Sequence, residues 1–434
     1  MGNAATTRAK TRWFWTAVMV CLVIAWCTGC SVFGNDNQGL DEDDEAELTV
    51  LVPSEQSFMQ QYGSAFQSEF PNVRLELIEM ADGDLSNLIL EHQPDVLLLG
   101  MNDYRELALD GRLAPLDTYI EQSEFDLAGI HRSVTELLTQ AGGGTLYGLS
   151  PTVQSMALYM NQTLLEQLGI PLPEGEPTWD QLFLLAGQVA EQAEDGVYGY
   201  VHGEATLLEW LETFGKSYGL GFVDLEAGTM TLQSPEWTEV IRYWIAAFQN
   251  GWTAFPQIGG QIDASDAAQW FIQGQSAMMV ADSSYAALLE QMPPAFEWNV
   301  LPFPIGGEGS IPLSVIEPNR IFSIWHETDQ AEASWALIEY VNGSDWAAWI
   351  SKTQPGLLLA RPDQIVTEHA VEAFYDSADT SNLFVTEPIP IGFSLPFNEL
   401  LVTEMQRAVN GEATAEQVQE SLQRQGQLLL DAME

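Results

Sequence analysis

A chain of 434 residues is longer than one hydrophobic core ordinarily serves, about 250 to 300 residues, so two lobes are expected. With 46% hydrophobic and 10% aromatic residues against 18% charged, there is ample material to bury, and global disorder is excluded. Acidic residues outnumber Lys plus Arg by 62 to 14, a net charge of -48, and a field of that sign repels phosphate backbones and excludes nucleic acid as an expected partner.

At the amino terminus Arg8, Lys10 and Arg12 precede fourteen residues, Trp13 to Trp26, that hold one Thr and no charge. This is the anatomy of an export signal over residues 1–29. Fourteen helical residues span about 21 Å, short of the roughly 30 Å hydrocarbon core, which weighs against a permanent transmembrane anchor. Gly29-Cys30 resembles the lipobox of bacterial lipoproteins, in which the Cys is acylated and begins the mature chain. Cys27 stands where Leu is usual, and a plain secretory signal cut nearby is the alternative. Removal of the signal takes Cys21 and Cys27 with it, so Cys30 remains alone and no internal disulfide is expected. Acyl chains on Cys30 hold a soluble body to a membrane. Residues 30–47 then read as an acidic tether, because Asp41 to Glu45 lack the spacing and the Gly of a calcium loop.

From Leu48 to Val52 a β-branched run predicts a buried strand, and apolar residues at Phe58, Met59, Tyr62, Ala65, Phe66 and Phe70 follow at helical spacing up to Pro71. Val73 to Ile78 alternates as a strand, and Asp95 to Leu99 is fully apolar after its Asp, as a parallel strand covered on both faces requires. A doubly wound α/β sheet is predicted, with ligands beyond the carboxyl ends of its strands, at Ser54-Glu55-Gln56 and Met101-Asn102-Asp103. Thr178-Trp179-Asp180-Gln181 and Thr414-Ala415-Glu416-Gln417 match capping boxes, and Ser234-Pro235 pairs a cap residue with Pro at the first helical position. Gly and Pro clusters mark loops at Ala141 to Thr145, Ile170 to Pro177, Leu301 to Gly309 and Glu387 to Gly392.

Several of these segments, in this order, resemble family 1 extracellular solute-binding proteins of ABC transporters. Tyr104 to Ile120 and Gly143 to Ala190 carry the likeness best, the second with Tyr147-Gly148, the strand containing Ala157, Leu158, Tyr159 and Asn161, the helix end Leu168-Gly169-Ile170-Pro171, and Thr178-Trp179. Phe271 to Met279, Glu332 to Ser344 with Asp345-Trp346, and Asn410-Gly411 extend it over residues 48 to 434. The resemblance implies an α/β, two-lobed periplasmic-binding-protein-like fold of type II, maltose-binding-protein-like, with hinge-linked lobes around a central ligand cleft. Its expected lobes are 48–153 plus 304–350 and 154–303 plus 351–434. Chain crossings are expected near Thr152 to Met156, near Val300 to Pro304 and over Trp349 to Pro355.

Sugars present hydroxyl edges and apolar faces, so a sugar cleft needs carboxylates and amides for the one and rings for the other. Glu55, Asn102, Asp103 and Gln154 lie where the family places polar contacts, and each also fits a helix cap or solvated loop residue. Eleven of the fourteen Trp follow the signal, all between Trp179 and Trp349. Leu99 and Gly100 occupy the place where family members that bind glucose polymers commonly carry a Trp, which weighs against a maltose-like ligand. Tyr285, Trp210, Phe397 and Asn398 match stretches that line the family's second lobe, the last two ahead of the last long helix; for Tyr285 and Trp210 the alternative is core packing. Trp237, Trp244, Trp335 and Trp346 sit on periodic helices and read as packing.

Five scattered His, no HExxH, no Walker loop, no GxGxxG after a strand and no Gly-x-Ser-x-Gly leave no cofactor, metal or catalytic residue to nominate. The expected function is therefore that of a non-enzymatic, monomeric, lipid-anchored protein on the outer face of a bacterial membrane. It captures a carbohydrate, an oligosaccharide or glycoside, by hinge closure and passes it to ABC permease subunits. A receptor presenting its ligand to a membrane sensor kinase and a secreted carbohydrate-active enzyme are the rival readings.

Overall fold

The computed structural model describes residues 45–433 apart from 81–84, 174, 204–205, 226, 255–263, 307–315, 355, 366–370, 376–388 and 390. The export signal, Cys30 and nearly all of the acidic tether lie outside the described residues. Strand β1, Ala46–Val52, begins inside the last residues expected of the tether. Its pairing partner β2, Val73–Glu79, recruits Ala46 and Glu47, with Ala46 opposite Val73 and Glu47 opposite Arg74.

Between β1 and β2 the chain forms helix α1, in which Glu55–Phe58 runs through a π turn at Met59–Gly63 into Ser64–Glu69. After β2 come α2 (Leu85–His92), β3 (Val96–Leu99), α3 (Met101–Leu109), α4 (Asp117–Gln122), α5 (Arg132–Ala141) and β4 (Gly148–Leu149). The first sheet has the order β2-β1-β3-β13-β4, where β13 is Ile321–Ile324. Its β1, β2 and β3 are parallel, as the apolar runs predict, and all four residues of β3 are buried. A wholly parallel sheet does not form. Strand β13 returns from 172 residues beyond the end of β4 and lies antiparallel to both β3 and β4, a pairing that no local pattern announces. Asp95 locks the entrance to β3, its carboxylate accepting from the Thr49 amide at 2.8 Å and the Thr328 hydroxyl at 2.5 Å.

Strand β5 (Thr152–Gln154) leads through Ser155 into β6 (Met156–Asn161). The elements that follow are α6 (Gln162–Gln167), α7 (Trp179–Gln192), β7 (Tyr198–His202), α8 (Leu207–Ser217), β8 (Val223–Asp224), β9 (Thr229–Met230), α9 (Pro235–Gln249), α10 (Ala264–Ile272), β10 (Ser276–Asp282), α11 (Ser283–Gln291) and β11 (Trp298–Pro302). They build a second sheet of order β11-β6-β10-β7. Successive residues of β6 serve different cores: Ala157 and Tyr159 join the hydrophobic cluster shared with the first sheet, Leu158 and Met160 the cluster beneath α7, α8 and α9. Gly199 lets β7 close on α7, since a Cβ there would stand 2.3 Å from the Ala186 backbone.

A separate three-stranded ribbon, β12-β5-β14, joins β5 to β12 (Glu317–Pro318) and β14 (Leu358–Leu359), both antiparallel to it. Between β13 and β14 lie α12 (Ala331–Val341) and α13 (Ser344–Thr353), so the segment expected to cross over Trp349 to Pro355 is helical through Thr353. The chain ends in α14 (Ile391–Val409) and α15 (Ala415–Asp431). Both capping boxes form at Thr178 and Thr414, and Ser234 caps α9. Residues 391 and 392, expected in a loop, are already helix, with Pro396 inside it.

Helix α15 grips the second core through a column of glutamines. Gln419 donates to the carbonyls of Leu232 and Ser234 at 2.6 and 2.7 Å; Gln423 donates to Met230 and accepts from Leu232; Gln427 donates to Gly228 and accepts from Met230. Four helical residues rise about 6 Å and two extended residues about 6.6 Å, so a helix can match an extended chain at i, i+4, i+8. The column replaces the missing sheet neighbour for residues 228 to 234.

Candidate functional site

Strands β1 and β3 are parallel neighbours, with Val50 opposite Val96 and Leu51 opposite Leu97, so their carboxyl ends and the helix starts beyond them lie side by side. Ser54 caps α1, its hydroxyl accepting from the Ser57 amide, and leaves Glu55 exposed as the first helical residue. Gly100 precedes α3, where Asn102 is exposed and Asp103 half-buried. Burial, and then the neighbouring charge of Glu106, raises the Asp103 pKa. Beside β3, Ile321 of β13 pairs with Leu99 and the Asn319 amide donates to Thr152 O at 3.0 Å, which ties this edge to the ribbon. Gln154 ends β5, exposed and paired with Glu317. The sheet register thus gathers Glu55, Asn102 and Asp103 at one edge, and the Asn319 to Thr152 bond ties the ribbon that carries Gln154 to it.

Two residues past Gln154, Met156 pairs with Asp282 at the end of β10, and parallel β7 ends beside it with Val280 opposite His202. Ser155 thus links the ribbon to the second sheet, and its hydroxyl donates to Phe374 O at 2.8 Å. Asp282 is exposed, caps α11 through the Ser284 amide at 2.9 Å and takes the Ser284 hydroxyl at 2.6 Å. Its own carbonyl accepts the Tyr159 hydroxyl at 2.7 Å.

The apolar candidates fall elsewhere. Trp210 is 2% exposed, stacked on Trp244 with ring centroids 4.7 Å apart and tilted on His202 at 5.2 Å. No face of its ring is left for a ligand, which corrects the expectation. Phe397 is fully buried between Phe222 at 5.5 Å and Phe393 at 5.0 Å, inside α14 rather than ahead of a helix. Asn398 is half-buried on the same helix and spends its carbonyl oxygen on the Leu208 amide at 3.1 Å, capping α8. Tyr285 is buried edge-on to Tyr159, its hydroxyl donating to Ala268 O at 2.8 Å, and that burial pushes its pKa upward. Trp237, Trp244, Trp335 and Trp346 are buried, as their periodicity predicts.

Sequence reasoning missed Arg320, exposed one residue before β13 at the same edge as Glu55. Its one sequence signal is position, an Arg directly ahead of the largely apolar run Ile321 to Ile324. Carboxylate, amide and guanidinium heads at these strand ends suit hydrogen bonding to a polyhydroxylated solute. Among the described residues, no group of three His, Cys, Asp or Glu could hold a metal ion, and no helix is long and apolar enough to cross a membrane.

The family model for the bacterial extracellular solute-binding protein matches residues 52–348. Among solved structures, an extracellular solute-binding protein of family 1 from Alicyclobacillus acidocaldarius superposes with a TM-score of 0.70 at 14% identity, covering 90% of this chain and 100% of that one. The sugar-binding protein MalE of Xanthomonas citri gives 0.69 at 16% identity, with 89% and 98% covered. An ABC substrate-binding protein of Listeria monocytogenes in complex with cycloalternan gives 0.64 at 18% identity, with 90% and 99% covered. At these identities the likeness shows the fold, two lobes of mixed α/β structure.

Proposed function

We propose, since this chain belongs to the family of bacterial extracellular solute-binding proteins, that it captures a carbohydrate outside the cytoplasm and delivers it to an ABC importer. The observation that supports the reading is that the strand ends leading to Glu55, Asn102 and Asp103 are tied to the ribbon strand ending in Gln154, which runs on into the strand whose start pairs with Asp282. The solved neighbours add support: one is described as sugar-binding, and the Listeria protein holds cycloalternan.

The lobes of the proposal are 48–153 plus 304–350 and 154–303 plus 351–434, and the ribbon β12-β5-β14 is their hinge. Two- and three-residue strands bend with little loss of pairing, whereas the flanking sheets and their cores move as rigid bodies. A solute that touches only one edge favours neither the open nor the closed state, so capture requires contact with both. Glu55 and Gln154 accept from sugar hydroxyls, and Asp282 meets the solute as the second edge swings in. Acylated Cys30 and the acidic tether keep the protein at the outer face of the membrane, as a monomer beside its permease. Substrate is bound and released unchanged.

Thermal unfolding of the purified chain against saccharides, polyols, amino acids and peptides tests this. Ligand at about 100 times its dissociation constant adds about 2.7 kcal/mol to native stability, a shift of a few degrees. A shift with a saccharide that is recovered intact supports the reading. Turnover of that saccharide, or a response confined to amino acids or peptides, overturns it.

A further inference from the structure

Arg320 stands where β12 gives way to β13, past the carboxyl end of β3. Residue 320 is a bend directly before β13, next to Ile321. Phe322 packs on Phe58 and Tyr62 of α1, ring centroids 6.3 and 5.1 Å apart. Arg320 stands two residues before Phe322, toward the edge where α1 begins with Glu55. Its charge reaches the Tyr62 hydroxyl, whose pKa is pushed up to about 12 by burial and drawn back by Thr152 and by Arg320.

The chain has 62 carboxylates for 14 basic residues, so an arginine seldom lacks a partner. Arg74 pairs with Glu47, Arg132 with Glu136, Arg242 with Glu239 and Glu416, Arg361 with Asp126 and Arg407 with Glu404. Among the described residues Arg320 holds only the carbonyl of its neighbour Asn319, at 3.3 Å, and forms no ion pair even with Glu55 at the same edge. Lys352, Arg424 and Arg112 also lack a described ion pair, but the first two stand on helices and Arg112 lies over the Trp325 ring at 4.8 Å.

We infer that the exposed, unpaired Arg320 beside Glu55 receives a carboxylate carried by the captured saccharide, so that the ligand is a uronic-acid-bearing sugar. The inference rests on the carbohydrate reading above. A guanidinium offers two parallel N–H groups matched to a planar carboxylate, and this bidentate geometry distinguishes a uronate from the neutral hexose with a CH2OH at that carbon. Glu55 then accepts from ring hydroxyls, and like-charge repulsion keeps the carboxylate on the Arg320 side of the edge.

Dissociation constants of the full chain for oligogalacturonides, alginate oligomers and hyaluronan fragments are to be measured beside those for neutral malto- and cello-oligosaccharides. The inference expects a uronate-bearing saccharide to bind at least tenfold tighter than any neutral one. R320Q then loses at least tenfold for the uronate, while its melting temperature without ligand stays that of the parent, because the side chain is exposed. A neutral saccharide that binds as tightly, or a uronate whose affinity R320Q leaves unchanged, overturns the inference and keeps the carbohydrate reading. Silence of every saccharide with a response to another solute class overturns both.

Discussion

Arg361 closes on Asp126 twice, donating through Nη2 to the backbone carbonyl at 2.6 Å and through Nη1 to the carboxylate at 3.1 Å. A third bond, from Nε to Asn342 O at 2.7 Å, fixes the end of α12 to the same guanidinium. The arginine is buried beside the ribbon strand β14, while the Asp126 carboxylate is largely exposed. Its two partners are thus unequal. Arg361→Met strands the buried Asn342 carbonyl and the part-buried Asp126 carbonyl and is expected to cost about 3 kcal/mol, whereas Asp126→Asn keeps both carbonyl bonds and costs about 1 kcal/mol or less. Gly129→Ala belongs with the severe change, since its Cβ would stand 2.0 Å from Arg361 Nη1. Urea midpoints for the three variants check the ranking, and equal losses for Arg361→Met and Asp126→Asn would contradict it.

The glutamine column makes a different kind of prediction, about local opening. Gln423→Leu keeps helix propensity and comparable bulk but leaves the Leu232 amide and the Met230 carbonyl without their partner. A loss of about 1 to 3 kcal/mol is expected from the stranded groups. Gln427 and Gln419 still bracket the segment, so amide exchange should quicken most at Leu232. Uniform acceleration across all of α15 would mean that the column acts on the helix and not on the segment.

How far the sequence reached depends on the range of the forces involved. Thr178, Ser234 and Thr414 were legible as helix starts because a cap satisfies amides two or three residues away. Strand β3 was legible because burial on both faces leaves an unbroken apolar run. The antiparallel place of β13 was not, since Ile321 meets Leu99 across 222 residues and nothing nearby encodes direction. Pro396 hid the start of α14, because a proline reads as a breaker, yet here it is the sixth residue of the helix. Polar site candidates were easier to place in the fold than aromatic ones for a related reason. Strand ends place Glu55, Asn102 and Gln154 by topology alone, whereas an aromatic at helical spacing, such as Trp210, carries the same signal whether it packs or binds. Arg320 follows Pro318 and Asn319 and reads as a turn residue until β13 is paired.

The burial of Trp210 separates stability from binding. Trp210→Ala removes a ring stacked on Trp244 and is expected to cost about 3 to 5 kcal/mol. Trp210→Phe keeps much of the contact and should leave ligand affinity within twofold, because the ring faces core and not solute. Titration of the Phe variant with whatever saccharide the thermal screen identifies is the check. A tenfold loss of affinity without a matching loss of stability would return Trp210 to the site.

His202 gives the second core a dependence on pH. Burial lowers its pKa from 6.5 to about 3, and its ring packs on Trp210 and Tyr200. Below about pH 6.5 the unfolded chain binds a proton that the folded chain refuses until about pH 3. A depressed folded-state pKa therefore means stability fully present above pH 6.5 and lost as the pH falls toward 3. The carboxylates respond to acid as well, but they are the same in a His202 variant, so the difference between parent and variant isolates this group. His202→Phe keeps a ring of similar size without the titration. Between pH 7 and pH 5 the parent should lose about 2 kcal/mol more than His202→Phe, at about 1.4 kcal/mol per unit below 6.5. Unfolding free energies in urea at the two pH values measure this, and parallel losses in both proteins would show that His202 takes up its proton in the folded state.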